Sequence, residues 1–384
     1  MTLQGIVHAV KADPTVAEAC ADARDRRITT LDLTAPSALW PVLATALADC
    51  GRTVLLVTAT QREAEDLTAT VGAFFGPDQV VDYPAWETLP HERLSPRSDT
   101  VGKRLTVLRR LAGTDELPAP RVIVAPVRSI LQPQVKGLAN LRPVTVRAGA
   151  EYELEQLARD LVDAAYIRVD LVERRGEFAV RGGIVDIFPP TAEHPVRIDF
   201  FGDEVDEIRP FTVADQRSGD ELLDEITATP CRELLITDAV KQRAADLADR
   251  HPQLADMLER IARGHAVDGM EALSAVLVDG MELFTDVLPD DALVIIGNPE
   301  LVSTRAGDLV RTSEEFRQSS WAGAAAGGSA PIDLAESAFH DLADVRGSVL
   351  DRGLGWWSFS QFSAAPDEDA ADDPAPEDRL VPEV

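Results

Sequence analysis

The first segment to test for chemistry is the loop after the first predicted strand, because an α/β sheet would bind a nucleotide there. A working phosphate-binding loop, G-x-x-x-x-G-K-[ST], surrounds phosphates with backbone N–H groups, reaches them with a lysine and holds Mg²⁺ through a hydroxyl. Here residues 34–41 are TAPSALWP, with no glycine and no lysine. A proline also removes one backbone donor. We therefore predict a degenerate nucleotide loop without ATP hydrolysis, made of Ala35, Pro36, Ser37, Ala38, Leu39 and Trp40.

Other catalytic patterns are weak. The tetrapeptide 203–206, DEVD, resembles the D-E-x-D box of nucleotide-driven helicases, but it lies in alternating hairpin sequence and is predicted to be a turn with solvated acids. The six histidines show no H-E-x-x-H motif or short pairing, so no catalytic residues and no metal site are predicted. The cysteines form no C-x-x-C pair and are expected to be buried free thiols: Cys20, Cys50 and Cys231.

Arginines next to two phenylalanines suggest a binding surface rather than a catalytic one. The arginines are Arg174, Arg175, Arg181 and Arg197, and the phenylalanines are Phe200 and Phe201. Because neighbouring side chains of a strand face opposite ways, one phenylalanine should enter the core and the other should face outward. An outward phenylalanine beside arginines is typical of an interface hot spot. The pattern fits equally a solvated face in which the arginines pair across strands with Asp199, Glu177 or Asp186.

Two kinds of secondary-structure pattern must position these residues. Strands alternating with helices indicate a parallel α/β sheet, with strands at 28–34, 52–60, 79–83 and 121–126 and helices at 39–50 and 61–75. A helix at 151–165 and alternating hairpins at 177–190 and 195–211 indicate an α+β insertion. The later chain is predicted to be helical at 238–262 and 270–276, with one strand at 292–297 that rejoins the first sheet and a flexible loop at 319–329.

Charge and composition exclude several function classes. The 384 residues include 37 basic and 66 acidic residues, a net charge of −29, which opposes autonomous binding to phosphate backbones. We find no apolar run long enough for a membrane span and no export signal, so we expect no membrane partner and a cytoplasmic location. Residues 365–384 contain eight acidic residues and one arginine, and they are predicted to be disordered.

Two long motifs make the sequence resemble a known family. The segment RRGEFAVRGGIVDIFPPTAEHPVRIDFFGDEVDEIRPF, together with DYPAWETLPHERLSPRSDTVGKRLTVLRRL, resembles the amino-terminal third of the bacterial transcription-repair coupling factors (Mfd), over residues 1 to about 360. The excision-repair helicase subunit UvrB shares the hairpin pattern, but it has an intact phosphate-binding loop and lacks the A-W-E-T-L-P segment. The absence of the phosphate-binding motif from this sequence therefore agrees with the coupling factors.

The resemblance implies a degenerate RecA-like, UvrB-like lobe split by an inserted hairpin domain. The implied divisions are the first part of the lobe at 1–142, the inserted domain at 143–228, the second part of the lobe at 229–345, and a linker with the acidic tail at 346–384. In the family the inserted domain binds UvrA, and the family residues for that contact correspond here to Arg181, Arg197 and Phe201. All three are present.

The resemblance also implies what the chain does not do alone. In the family, ATP and Mg²⁺, RNA polymerase and DNA are bound by later domains, which are expected to be absent here. The leading hypothesis is therefore a protein-interaction module of transcription-coupled DNA repair that recruits UvrA and needs no cofactor of its own. The alternative is a UvrB-like, nucleotide-dependent lobe that binds damaged DNA.

Overall fold

The computed structural model describes residues 3–89, 92, 94–325 and 338–361, with residues 77 and 316–325 as backbone only. Within these ranges the fold is a mixed α/β lobe interrupted by a second sheet, as the sequence predicted. None of the helices in the described ranges has the length and apolar character needed to cross a membrane.

The lobe is built on a parallel sheet of six strands. In chain order they are β1 (Thr30–Thr34), β2 (Thr53–Thr58), β3 (Val80–Asp82), β4 (Val122–Pro126), β14 (Ala292–Gly297) and β15 (Gly355–Ser360). Their spatial order is β1-β15-β14-β2-β4-β3. Every residue of β2, β4 and β14 is buried, because helices cover both faces of the sheet. The predicted return of the 292–297 strand to this sheet is confirmed by its pairing with β2.

Helices pack on both faces of this sheet and continue through the rest of the chain. They are α1 (Gln4–Lys11), α2 (Pro14–Asp25), α3 (Trp40–Asp49), α4 (Gln61–Phe75), α5 (Ser98–Leu111), α6 (Val127–Leu131), α7 (Leu154–Asp163), α8 (Asp238–Ala248), α9 (Ala255–Ala262), α10 (Ser274–Leu277), α11 (Pro299–Ala325) and α12 (Leu342–Asp351). Alternate strand residues feed two cores: Leu56 packs with α3, while Leu55 packs with α5. Thus each face of the sheet has its own hydrophobic core.

The inserted region forms a sheet of five strands. The strands are β7 (Ile167–Arg168), β8 (Glu177–Arg181), β9 (Ile184–Ile187), β10 (Val196–Phe201) and β11 (Glu204–Pro210), in the spatial order β11-β10-β9-β8-β7. The two predicted hairpins are confirmed as β8–β9 and β10–β11. The apolar side chains of one face pack against α7 in a separate core.

The chain enters and leaves this region through a pair of adjacent strands. β6 (Val144–Arg147) and β12 (Glu225–Ala228) run antiparallel, with Arg147 opposite Glu225. A further short pair, β5 (Gln134–Val135) and β13 (Met281–Glu282), lies in the lobe. The stem formed by β6 and β12 brings entry and exit together.

A buried polar cluster fixes the exit of the inserted region to the lobe. Arg104 on α5 donates from Nε to Glu233 at 2.5 Å, and Trp86 donates to the same oxygen at 3.1 Å. The Arg104 and Glu233 side chains are 1% and 0% exposed. Since an unpaired buried charge is strongly destabilising, this ion pair ties α5 to the segment that follows β12. The A-W-E-T-L-P segment therefore has a structural role here, through Trp86.

The expectation of a linker near the end of the chain is wrong. The linker predicted from residue 346 contains part of α12 and the whole of β15, which lies inside the main sheet between β1 and β14. The pattern GWWSFS is too short to identify as a strand without its parallel neighbours on both sides. The acidic tail at 365–384 lies outside the described residues.

The flexible loop predicted at 319–329 is also wrong where it can be compared. α11 continues to Ala325, so 319–325 is helical, while 326–329 lies outside the described residues. Alanine is the strongest helix former, and in 319–325 three alanines outweigh the one glycine, Gly323.

Candidate functional site

The predicted interaction residues lie on one face of the five-stranded sheet, which we call the outer face. Arg181 and Asp199 both lie opposite Ile184 on β9, so these three side chains share a face. Arg197 and Phe201 are two residues on either side of Asp199 along β10, and therefore point the same way. The register thus brings all three predicted residues to the face that does not pack on α7.

Phe201 is the outward member of the phenylalanine pair. It is 81% exposed, whereas Phe200 packs partly buried against the core beneath the sheet. The β10–β11 connection is a two-residue turn in which Gly202 has φ = 68°, a conformation that favours glycine. This tight turn leaves Phe201 at the tip of the hairpin, where nothing in the described chain covers it. The alternative that Phe201 is the buried one is wrong.

The DEVD tetrapeptide begins in this turn with Asp203 and continues into β11. Glu204 begins β11 and lies opposite Phe201, and Val205 packs into the core. Asp203, Glu204 and Asp206 are exposed. The prediction of solvated acids is confirmed, but only Asp203 lies in the turn, since Glu204 and Asp206 belong to β11. None of these carboxylates lies at the carboxyl ends of the parallel sheet.

Arg181 ends β8 and is exposed at the same end of the outer face as Phe201. Its guanidinium donates from Nε to the Asp170 carbonyl oxygen at 3.1 Å, and a second nitrogen donates to the same oxygen. No ion pair of Arg181 with a carboxylate occurs among the described residues. Its positive charge is therefore oriented by a neutral carbonyl and stays available to an external anion.

Arg197 is in a different environment. It donates to both oxygens of Asp186, at 2.7 and 2.9 Å, and its guanidinium lies 5.0 Å from the centre of the Phe211 ring. The Asp186 side chain is only 3% exposed and that of Arg197 is 20% exposed. The hydrogen bonds to Asp186 raise the pKa of Arg197 above its usual range. The cross-strand pair with Asp186, one of the alternatives in the sequence, is confirmed, and the expectation of an exposed arginine is wrong here.

Arg175 is also engaged within the chain. It donates to the Ala192 carbonyl at 3.1 and 3.0 Å, and its guanidinium lies over the Phe188 ring at 4.9 Å. Phe188 belongs to a small cluster with Phe211 that covers one end of the outer face. Arg175 and Arg197 therefore brace the covered end, and Arg181 remains at the open end.

Sequence analysis missed two apolar residues at the open end. Ile184 is half-buried on β9, and Leu171 is 40% exposed beside the carbonyl that holds Arg181. Ile184 could have been found from its strand alternation with Asp186. Leu171 gives no such signal, because it lies in an irregular loop, where no strand or helix period indicates which side chains face the sheet.

The degenerate nucleotide loop lies at the carboxyl end of β1, where the sequence placed it. Residues 37–39 form a 3₁₀ turn that leads into α3. The Ala35 amide donates to Ser360 at 2.9 Å and the Leu39 amide donates to Pro36 at 2.8 Å. Trp40 is 7% exposed and donates from its ring nitrogen to the Ala35 carbonyl at 3.0 Å. The loop residues therefore do not fit a nucleotide phosphate in the manner of a phosphate-binding loop, because two of these amides are already bonded within the chain and the loop itself contains no lysine.

The three cysteines are buried free thiols, as predicted. Cys20 and Cys50 pack in the same core, and Cys231 lies in the core of the inserted region. Among the residues that the structure describes, no group of three or more acidic, histidine or cysteine side chains could hold a metal ion.

The fold and surface define a class: a UvrB-like α/β module whose inserted domain carries an exposed phenylalanine and, on the same face, an arginine that has no carboxylate partner among the described residues. Residues 144–234 match a family model that is described as "UvrB interaction domain". This range starts at β6 and ends just beyond Glu233, so it includes the five-stranded sheet and its stem.

The chain is similar to transcription-repair-coupling factors over most of its length. The relative from Mycobacterium bovis is 50% identical over 352 residues, covering 87% of this chain and 28% of the relative. The relative from Myxococcus xanthus is 35% identical over 280 residues, covering 67% of this chain and 23% of the relative. The resemblance to the amino-terminal module of these DNA-repair proteins is thereby confirmed, and the chain spans about a quarter of their length.

Proposed function

We propose that this chain recruits UvrA in the cytoplasm, for transcription-coupled DNA repair, through the open end of the outer face. The observation that carries the proposal is the 81% exposure of Phe201 at a hairpin tip, on the same face as Arg181. Exposed aromatic residues and arginines dominate the binding energy of protein interfaces, because they give large contact area and directional hydrogen bonds. The similarity of residues 144–234 to the UvrB interaction domain supports the inserted domain as the region of contact.

The roles of the three predicted residues differ in this proposal. Phe201 inserts its ring into an apolar pocket of UvrA, and Arg181 pairs with a carboxylate of UvrA. Arg197 acts through Asp186, because its guanidinium already spends two donors on that buried carboxylate. We assign Arg197 the role of holding β9 and β10 in register beneath the contact residues.

We further propose that the chain neither binds nor hydrolyses ATP by itself. The amides of Ala35 and Leu39 are bonded within the chain, and Trp40 occupies the end of the sheet. The alternative of a UvrB-like DNA-binding lobe would need a phosphate-binding loop, and it also conflicts with a net charge of −29. Calorimetric titration with ATP and Mg²⁺ tests this proposal, and saturable micromolar binding would overturn it.

A direct binding measurement tests the recruitment. Purified UvrA is immobilised, and the affinity of the chain is compared with that of Phe201→Ala and Val162→Ala. Val162 is the matched control, since it is 52% exposed on α7, which covers the opposite face of the sheet. We expect Phe201→Ala to weaken binding and Val162→Ala to leave it unchanged. Equal affinity of all three proteins, or no binding by the unaltered chain, would contradict the proposal.

A further inference from the structure

Two cysteines of the lobe lie side by side, although they belong to different helical segments. Cys20 lies on α2, and Cys50 directly follows α3. The Cys20 thiol donates to the Ala46 carbonyl at 3.8 Å, and Ala46 lies about one helical turn before Cys50. Side chains of a helix lean towards its amino terminus, which brings the Cys50 thiol over that turn. The two thiols are therefore within hydrogen-bond reach of each other.

Positive charges surround the Cys50 end of this pair. Lys11, the last residue of α1, donates to the neighbouring Asp49 at 2.6 Å. Arg24 on α2 hydrogen-bonds to Cys50. The carboxylate of Asp49 does not cancel these charges, because it is also paired with Arg121 at 3.6 Å. Cations next to a cysteine favour its thiolate over its thiol.

The two sulfurs of the pair differ in the ease with which they ionise. The hydrogen bond with Cys20, together with the charges of Lys11 and Arg24, lowers the pKa of Cys50 below that of an ordinary thiol. The hydrogen bond with Cys50, together with burial, raises the pKa of Cys20. The thiolate is the form that attacks an oxidant, and a neighbouring thiol can then complete a disulfide. Cys50 is thus suited to attack, and Cys20 is suited to resolve.

The third cysteine has similar burial but different neighbours. Cys231 is 5% exposed, against 4% for Cys20 and 8% for Cys50. Burial raises the pKa of Cys231, and its side chain hydrogen-bonds to Tyr166 instead of a second thiol. The partner thiol and the cations, and not the degree of burial, therefore distinguish the pair from Cys231.

The attacking sulfur of the pair lies near the surface of the lobe. Cys50 lies between the exposed residues Asp49 and Gly51, and the neighbouring Lys11 side chain is half-buried. A small neutral oxidant needs only a narrow path to reach Cys50. Cys20 needs no path from solvent, because its reaction partner is Cys50 itself.

We propose that Cys20 and Cys50 form a reversible disulfide when hydrogen peroxide oxidises the chain. The Cys50 thiolate attacks one peroxide oxygen, so that a sulfur–oxygen bond forms, the oxygen–oxygen bond breaks, and the released hydroxide takes up a proton to become water. The Cys20 sulfur then attacks the Cys50 sulfur, the sulfur–oxygen bond breaks, and the leaving hydroxide takes the Cys20 proton. The two sulfurs lose the two electrons that the peroxide gains, and a small dithiol returns them by exchange.

The test treats the full reduced chain with hydrogen peroxide, blocks the remaining thiols with iodoacetamide and analyses tryptic peptides by mass spectrometry. We expect peptides 12–24 and 28–52 to be joined by a disulfide within the single-chain band of a non-reducing gel, and to separate after dithiothreitol. Cys231 serves as the internal control and should lose its thiol at least about tenfold more slowly. Loss of all three thiols at equal rates, or a sulfinic acid at Cys50 with Cys20 still free, would overturn the proposal.

A pair of lysine variants makes the test specific to the charges around Cys50. Lys11→Met removes the ammonium group beside the pair, and Lys241→Met removes the same charge from α8, where Lys241 pairs with the exposed Asp238. We expect Lys11→Met to slow disulfide formation at about pH 7 by about threefold or more, and Lys241→Met to leave the rate unchanged. The rate at Cys231 reports any loosening of the fold and should be the same in both variants. Equal rates of disulfide formation in the two variants would also overturn the proposal.

Discussion

The two ends of the outer face carry the same residue types in opposite states. At the covered end, Arg197 is bonded to the buried Asp186 and lies over Phe211. At the open end, the Arg181 side chain is bonded, among the residues that the structure describes, only to a backbone carbonyl, and Phe201 is 81% exposed. An arginine with a buried carboxylate partner stabilises the fold, and an arginine without one can bind a partner protein. Residues for stability and residues for binding therefore lie at opposite ends of one face of the same sheet.

The largest expected effect is on stability, at the covered end. Arg197→Ala should lower the free energy of unfolding by about 3 kcal/mol or more, because it leaves the Asp186 charge buried and unpaired. Chemical denaturation measures the change. The double variant Arg197→Met with Asp186→Leu removes both charges and should be more stable than Arg197→Ala. If the Arg197→Ala protein were as stable as the unaltered chain, the stabilising role of Arg197 at the covered end would be contradicted.

A charge reversal at the open end should have the largest effect on binding. Arg181→Glu is expected to weaken the affinity for UvrA by more than about 2 kcal/mol, because it replaces an attraction by a like-charge repulsion. Surface interaction measurements at two salt concentrations give the affinity and its electrostatic part. The melting temperature should stay close to that of the unaltered chain, since Arg181 is exposed. A loss of stability without a separate loss of affinity would mean that Arg181, like Arg197, stabilises the fold and does not bind UvrA.

Removal of the exposed Phe201 ring should have the next largest effect on binding. Phe201→Ala should weaken binding to UvrA by about 2 kcal/mol, roughly thirtyfold, as for the aromatic centre of an interface. The change in folding stability should stay within about 0.5 kcal/mol, because the ring is 81% exposed. Affinity and melting temperature are measured on the same preparation. A destabilisation of about 3 to 5 kcal/mol, which is typical when a core phenylalanine is replaced by alanine, would contradict the exposed position of Phe201.

The smallest expected effect concerns the rim of the open end. Leu171→Ala should weaken binding by less than about 1 kcal/mol, because the side chain lies beside the carbonyl that orients Arg181 and not at the hairpin tip. The same affinity measurement resolves it when run beside Phe201→Ala. A larger loss than for Phe201→Ala would move the centre of the contact towards Leu171.

Local patterns in the sequence account for much of the fold. The β-branched runs at β2 and β4 are buried strands, and the alternating hairpins at β8–β9 and β10–β11 have the predicted positions. The pairing of β15 inside the main sheet was not predictable, since it depends on β1 and β14, which are distant in the chain. Long-range pairing leaves no periodic trace in a six-residue segment.

By itself, the sequence determined two features of the candidate sites. It determined that the loop at 35–40 has neither the glycines nor the lysine of a phosphate site, because those requirements are residue types at fixed spacing. It also determined that Phe200 and Phe201 face opposite ways, because strand alternation has a period of two. Both features follow from local chemistry and need no knowledge of distant contacts.

Only the tertiary structure decided which phenylalanine is exposed and which arginine is free. The core formed with α7 takes Phe200, so Phe201 faces outward. The register of β9 against β10 gives Arg197 a buried carboxylate, and no such partner lies beside Arg181 in the described chain. The two arginines are alike in the sequence, and they differ because burial and pairing are properties of neighbours that the chain brings together only on folding.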